Sequence, residues 1–493
     1  MGAQTKSLTE LGLTARGGRS AEITGLSVDS RDVSPGHLFF ALPGTRVHGA
    51  DFVPKAIEMG ASAILTDAEG AASAASVLNQ SDVAVIVSEA PREALARAAA
   101  LWFGVQPSTI VAVTGTNGKT SVTSFVRQIW SILGHSAINV GTTGIEGAWS
   151  APLAHTTPEP ITLHRALAAA TNQGVTHAAM EASSHGLDQR RLDGVTLAAA
   201  GFTNFTQDHL DYHASFEDYF DAKAGLFARL LPEESTAVIN IDVERGVDMA
   251  AIAQARGCPV ISVGRDIGDL HLGNIQVDAT GQTVCFKYLG EQFVRRLKLI
   301  GDFQAENVML AAALVIACGD EPEAVFSTLE DLKTVRGRMQ LAATRENGAA
   351  IFVDYAHTPD AVATALKALR PHVLGRLIAI VGAGGDRDAT KRPLMGQAAA
   401  ENADLVIVTD DNPRSEDPAA IRASVLLGAP DAMEVGDRAE AILRGVDALG
   451  PGDALLIAGK GHETGQIVGD DVLPFDDVEQ ASVAVSALDG RMA

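Results

Sequence analysis

Cysteine is scarce and unpaired. The three in 493 residues, Cys258, Cys285 and Cys318, form no CxxC pair, so a reducing cytoplasm is expected and a disulfide framework is not. Positive charge is also short: 38 Lys and Arg stand against 61 Asp and Glu, a net of −23. So acidic a chain repels nucleic acid and anionic membrane as a whole, and any anionic ligand must be held by local groups. Long apolar runs are missing. The longest, at 308–318, falls well below the roughly 18 residues of a membrane span. The first residues lack the apolar core of a signal peptide. These absences predict a soluble cytoplasmic protein with small-molecule partners, no nucleic acid and no membrane; a monomer is expected. There is no low-complexity tract, no repeat of fixed period, and no Asn-Lys pair for a guanine-binding motif.

What is present is ample apolar material, 46% of the chain, over a length that predicts two to four domains. Short apolar runs alternate with helical patterns, which predicts an α/β fold with parallel sheets flanked by helices. Three blocks emerge, with boundaries near 108 and 335. The first holds the strands "ASAILTD" and "VAVIVS" and the helix "REALARAAALWFG". The second runs from "TIVAVTG" through "HAAMEASSHG" and "TAVINID" to the helix "AENVMLAAALVIACG", with a hairpin expected around "VCFKYLGEQFVRRLKLIG". The third holds "AIFVDYAHTP", "LIAIVGAGGDRD", "DLVIVTDDNPR" and "ALLIAGKGHE".

The strongest chemical signal is "VAVTGTNGKTSVTSFVRQIWSILG". A strand runs into Gly115, Thr116, Asn117, Gly118, Lys119, Thr120 and Ser121. A helix follows, with Val122, Phe125, Val126, Ile129, Trp130 and Leu133 on one face and Gly134 to stop it. Glycines let backbone N–H groups approach phosphate oxygens, and a helix N-terminus adds partial positive charge. Lys119 can neutralise β- and γ-phosphates; Thr120 or Ser121 can ligate Mg²⁺. The loop is not the general Walker form, because Val113 stands where its first glycine would be. Glu181 ends another apolar strand and can hold a cation near a triphosphate. His209 and Lys223 follow downstream; taken alone, His209 reads as a satisfied polar side chain rather than a ligand, and Lys223 as a helix-surface lysine.

In the third block, Arg387, the segment Asp411, Asn412, Pro413, Arg414, and the segment from Gly459 to Glu463 each follow an apolar strand. Ligands of open parallel sheets bind outside the carboxyl ends of strands. Arg387, Arg414 and Glu463 are therefore expected to converge on one ligand with carboxylate and ammonium groups. "GAGGDRD" lacks the GxGxxG spacing of a dinucleotide site.

"GTNGKTS", "MEASSHGL", "FTNFTQDHLDYH", "GDFQAENVMLA", "DYAHTPDA", "GAGGDRDATKRP" and "DDNPR…GKGHE" occur in that order. Together they closely resemble the Mur ligases of peptidoglycan synthesis. "VDSR" at 28–31 and "PGTRVHGADF" extend the likeness across nearly the whole chain, and the short phosphate loop is the form this family uses. The resemblance implies a three-domain architecture: a UDP-muramoyl-binding domain at 1–108, a central P-loop-type ATPase domain at 109–335, and a Rossmann-like amino-acid-binding domain at 336–493. It implies ATP and Mg²⁺ as cofactors. The reaction implied is ATP-driven addition of meso-diaminopimelate to the D-glutamate carboxylate of a UDP-muramoyl dipeptide, through an acyl phosphate.

Position by position, the resemblance implies uridine and muramoyl-dipeptide contacts at Val28, Ser30, Thr45, Arg46, Val47, Thr156, Thr157, Ser183, Gln189 and Arg191. Gly115 to Ser121, Asn307, Arg338, Asp354 and His357 fall on the nucleotide side. Glu181 and His209 match metal-linked positions, and Lys223 matches a lysine carbamylated in the family. Arg387, Asp411, Asn412, Pro413, Arg414, Gly459 and Glu463 match the diaminopimelate site; lysine-adding members tend to lack the arginine of "DNPR". One departure is Pro158, which follows the threonine pair where a small residue is expected. Three alternatives stay open at this point: L-lysine as acceptor, a folylpolyglutamate synthetase, and a non-catalytic nucleotide-binding homologue. The second usually begins close to its phosphate loop. The third would be expected to lose Lys119, Glu181 or Lys223.

Overall fold

The structure, a computed structural model, describes residues 4–44, 47–206, 212–278 and 280–490. Thr45, Arg46 and His209 lie outside the described residues. Three larger sheets follow one another along the chain. The first holds four parallel strands in sequence order, β1 (Gly25–Ser27), β2 (His37–Phe40), β3 (Ala63–Thr66) and β4 (Ala84–Val87), followed by helix α1 (Pro91–Phe103).

The central unit opens with β5 (Thr109–Thr114) and α2 (Lys119–Ile132). Then come β6 (Ala137–Gly141), β7 (Gly144–Gly147), α3 (Pro160–Asn172), β8 (His177–Glu181), β9 (Ala199–Phe202), β10 (Thr236–Asn240) and β11 (Val260–Gly264). An antiparallel ribbon, β12 (Leu270–Asp278), β13 (Gly281–Tyr288) and β14 (Glu291–Leu297), extends the edge, and α4 (Asp302–Ala317) returns over the sheet. The order is β14-β13-β12-β11-β10-β9-β5-β8-β6-β7. The expected hairpin is therefore β13–β14.

The last sheet has the order β15-β16-β20-β17-β18-β19, with β15 (Gln340–Thr344), β16 (Ala350–Asp354), β17 (Leu377–Val381), β18 (Leu405–Val408), β19 (Met433–Glu434) and β20 (Ala454–Ala458). A separate hairpin, β21 (Gly465–Val468) and β22 (Asp471–Pro474), follows.

Central parallel strands are covered on both faces, so they read as unbroken apolar runs. In β5, Val111 and Val113 enter the core beneath α2 and α4, while Ile110 and Ala112 enter the opposite core with α3. β17 divides likewise: Ala379 and Val381 on one face, Ile378 and Ile380 on the other. α2 buries Val122, Phe125, Val126, Ile129 and Trp130, as its spacing predicts, and Gly134 beyond it has φ +92°.

His164 is buried where α1 and α3 pack, and its Nε2 has no hydrogen-bond partner among the described residues. Burial pushes its pKa down from 6.5 to about 4. The unfolded chain therefore binds this proton first as pH falls. The stability tied to neutral His164 is complete above pH 6.5 and is lost as pH drops toward 4, by at most about 1.4 kcal/mol per pH unit. Denaturant melts of His164→Gln should show a shallower acid-side loss than wild type. Parallel slopes would refute this assignment.

Candidate active site

The turn after β5 carries the phosphate-loop signature. Gly118 caps α2 at φ +84°, a conformation that favours glycine. A methyl group there would meet Asn307 Oδ1 at 2.6 Å, so α4 packs directly on the loop. Asn204, just past β9, clamps it: Asn117 N donates to Asn204 Oδ1 at 2.8 Å, and Asn204 Nδ2 donates to Asn117 O at 3.2 Å. Lys119 Nζ donates to the carbonyls of Gly115 and Thr116 at 2.8 and 2.7 Å. Its charge thus sits within the loop's own cradle.

Glu181, at the end of β8, meets this loop. Thr120 Oγ1 donates to Glu181 Oε2 at 3.0 Å; Thr142 donates to the same carboxylate through N at 2.8 Å and Oγ1 at 3.1 Å. Ser121 is buried. Lys223 is also buried, with Nζ donating to Gly115 O at 2.8 Å and lying 4.4 Å from the Tyr219 ring centroid. Among the described residues no three His, Cys, Asp or Glu side chains cluster as a metal cage. The Thr120 hydroxyl and Glu181 carboxylate are hard oxygen donors, and they suit Mg²⁺, which keeps waters and phosphate ligands rather than a full protein shell.

The last domain reaches this point through Arg338, whose Nη2 donates to Thr120 Oγ1 at 3.2 Å while its guanidinium lies 4.4 Å from the Tyr355 ring centroid. Asp354 is held in place: it accepts from Met339 N at 2.7 Å and Ala356 N at 2.8 Å. Burial pushes its carboxyl pKa up, against the pull of Arg338 and these two amides. His357 Nδ1 lies 2.9 Å from Tyr355 O, and a carbonyl only accepts, so that nitrogen carries a proton.

A cavity of about 740 Å³ joins Thr116 to Ser121, Thr156, Thr157, Glu181, Ser183, Arg191, Lys223, Asn307, Arg338, Asp354 and His357. Thr156 Oγ1 is 3.0 Å from Thr142 Oγ1, and Thr157 Oγ1 donates to Glu181 O at 2.8 Å. Ser183 caps the helical turn Ser184–Asp188. Arg191 donates to Thr157 O at 2.5 Å and to Gln189 Oε1 at 2.8 Å; burial lowers its pKa. Beyond Pro158, Glu159 accepts from Ile161 N and Thr162 N and starts α3 in regular fashion. Val28, Ser30 and Val47 lie in the first domain, outside this cavity; both valines are exposed and Ser30 is buried.

A second cavity, of about 580 Å³, is lined by Arg387, Asp411, Asn412, Arg414, Gly459 and Glu463. His185, Tyr355, His357, Asp360 and Arg387 line both. Pro413, between Asn412 and Arg414, is buried and does not itself line the second cavity. Asn412 lines the cavity and is also tied into its wall: its Oδ1 accepts from Lys460 Nζ and Ile467 N, and its Nδ2 donates to Glu463 Oε2. Thr142, Asn204, Tyr355 and Lys460 went unremarked in the sequence. Asn204 stands in "FTNFTQDHLDYH", Tyr355 in "DYAHTPDA" and Lys460 in "GKGHE"; only Thr142 lies outside every quoted motif.

Family models match in chain order: "Mur ligase family, catalytic domain" at 22–103, "Mur ligase middle domain" at 113–315, and "Mur ligase, glutamate ligase domain" at 337–461. The UDP-N-acetylmuramoyl-L-alanyl-D-glutamate--2,6-diaminopimelate ligase of Bradyrhizobium diazoefficiens is 50% identical over 94% of this chain and 95% of its own length. The protein of the same name from Caulobacter vibrioides is 49% identical over 95% and 96%. A solved structure of a ligase of that name superposes with a TM-score of 0.70 at 33% identity, covering 98% of this chain and 99% of the other. Likeness of this extent, over the same loops that build the two cavities, shows that the chain belongs to the Mur ligase family.

Proposed function

We propose that the chain is an ATP-dependent, ADP-forming ligase. It joins meso-diaminopimelate to the D-glutamate side-chain carboxylate of UDP-N-acetylmuramoyl-L-alanyl-D-glutamate in cytoplasmic peptidoglycan precursor synthesis. The observation that carries this reading is the meeting of two differently equipped cavities at shared walls, one at a phosphate loop and one between arginines and carboxylates. The division 1–108, 109–335 and 336–493 gives the nucleotide-sugar, ATP and amino-acid domains.

A free carboxylate is a poor electrophile; phosphorylation converts one oxygen into a leaving group. Loop N–H groups, the α2 N-terminus and Lys119 receive the ATP phosphates. Thr120 and Glu181 would hold Mg²⁺, which when bound offsets the crowded phosphate charge. Arg338, already at Thr120, brings the last domain against the nucleotide. Thr156, Thr157, Ser183 and Arg191 hold the dipeptide, while Arg387, Arg414 and Glu463 bring the amine to the shared wall. The test is ADP release: it should require both UDP-muramoyl dipeptide and diaminopimelate. Release without either would sink the reading.

Lys223 is proposed to act as a carbamate. The neutral amine plus CO₂ gives a carbamate and a proton; the nitrogen would keep one N–H able to donate to Gly115 O, and the added carboxylate would supply an oxygen donor for Mg²⁺. Lys223→Ala should be weak and partly rescued by small carboxylic acids. Full activity without them would count against the carbamate.

A further inference from the structure

The smaller cavity is underlain by a cation that the proposed chemistry does not use. Lys460 follows β20, and its side chain is 0% exposed. Buried ammonium groups need partners. Its Nζ donates to Asn412 Oδ1 at 2.8 Å and to Glu463 Oε2 at 3.4 Å, and lies 3.9 Å from Asp411 Oδ1. Asn412 Oδ1 also accepts from Ile467 N at 2.9 Å. An ammonium and a backbone N–H only donate, so the atom facing both must be the amide oxygen. The amide nitrogen is thereby turned to Glu463 Oε2, at 2.9 Å.

The nearby buried Arg438 is already engaged, with Nε and Nη2 each 2.7 Å from an Asp477 oxygen. Asp411 and Glu463 against Lys460 leave two negative charges and one positive, a net of −1. That remainder matches one ligand ammonium.

We propose that Lys460 is a positioning residue of the amino-acid pocket. By filling Asn412 Oδ1 it locks the amide, and together they hold Glu463 Oε2 so that Glu463 meets the far ammonium of the incoming diamino acid. This rests on the function proposed above. Lys460 itself does not line the cavity.

Steady-state kinetics of Lys460→Met test it, because methionine matches the lysine stem to Cε and removes the charge and donors. KM for meso-diaminopimelate should rise about 10-fold or more, while KM for ATP and for the UDP-muramoyl dipeptide stays within about 3-fold. The effect should also be non-additive with Glu463→Gln: the double variant's KM should lie within about 3-fold of the worse single variant. A general loosening would raise all three KM values and multiply the two effects; that result, or an unchanged KM, overturns the proposal. Should Lys460→Met not fold, Asn412→Asp serves instead. It keeps the acceptor for Lys460 and Ile467 but replaces the donor to Glu463 with an acceptor. The same selective rise is expected, and a wild-type KM overturns the proposal. Wild-type protein that cannot use meso-diaminopimelate would overturn the function and this role with it. Wild-type turnover alongside an unaffected Lys460→Met would overturn the role alone.

Discussion

Replacing Lys119 by alanine should abolish turnover and leave the fold intact. The side chain belongs to the first turn of α2 and is only partly buried, so little packing is lost. What is lost is a positive charge held by the carbonyls of Gly115 and Thr116, inside the ring of backbone N–H groups that would face the phosphates. Phosphoryl transfer is catalysed chiefly by positioning and by fixed charge aimed where negative charge develops. Removing one such preorganised donor elsewhere costs about 10²–10³ in kcat, or about 3–4 kcal/mol. Single-turnover ADP release and circular dichroism on the same sample give the two readouts. A variant that keeps more than about a tenth of wild-type kcat would contradict this account of the loop.

The phosphate loop was legible in the sequence because local signals coincide there: an apolar strand, glycines with no side chain, one lysine and an amphipathic helix. The strand-end positions of Arg387, Arg414 and Glu463 were legible for a related reason, since parallel strands announce themselves as apolar runs and ligands gather at their carboxyl ends. Contacts that depend on tertiary approach were not. Nothing near Arg338 in the chain says that it will reach Thr120, 218 positions away. Lys460 looks like a loop lysine until "DDNPR" and "GKGHE" close over it. The hairpin β21–β22 was missed because its strands are short and largely exposed, so no buried face imposes a pattern. It nevertheless matters: Arg414 N donates to Ile467 O at 3.1 Å and Gly469 N to Arg414 O at 2.7 Å, so this hairpin fixes the backbone of the arginine at the pocket.

That backbone sets up the sharpest expected result, a change of substrate preference in Arg414→Ala. Arg414 has φ +51°, a strained value for a residue with a Cβ, and the hairpin bonds hold it there. Its Nη1 donates to Gly385 O at 2.8 Å, with Asn412 O at 3.5 Å. These acceptors are neutral and orient the guanidinium; the nearby Asp386 carboxyl, held below its ordinary pKa mainly by hydrogen bonds from Ser415 and in part by Arg414, is a charge within its reach. Meso-diaminopimelate differs from L-lysine by one carboxylate beside the far amine. A planar guanidinium can grip that carboxylate bidentately, while Glu463 takes the ammonium and Arg387, at the wall shared by both cavities, is left for the carboxylate next to the attacking amine. L-lysine would leave Arg414 unmatched and set its own ammonium near another cation. A site built to pair a polar group discriminates against a ligand that leaves it unmatched by up to about 10⁴-fold, or about 5.5 kcal/mol, and Arg414 is half-buried. The wild type should therefore use meso-diaminopimelate and hardly use L-lysine, and Arg414→Ala should lose most of that preference, chiefly through a fall in kcat/KM for diaminopimelate. The measurement is kcat/KM for both amino acids with both proteins. Comparable values for the two substrates in the wild type would end this reading of Arg414 and leave the ligase assignment standing.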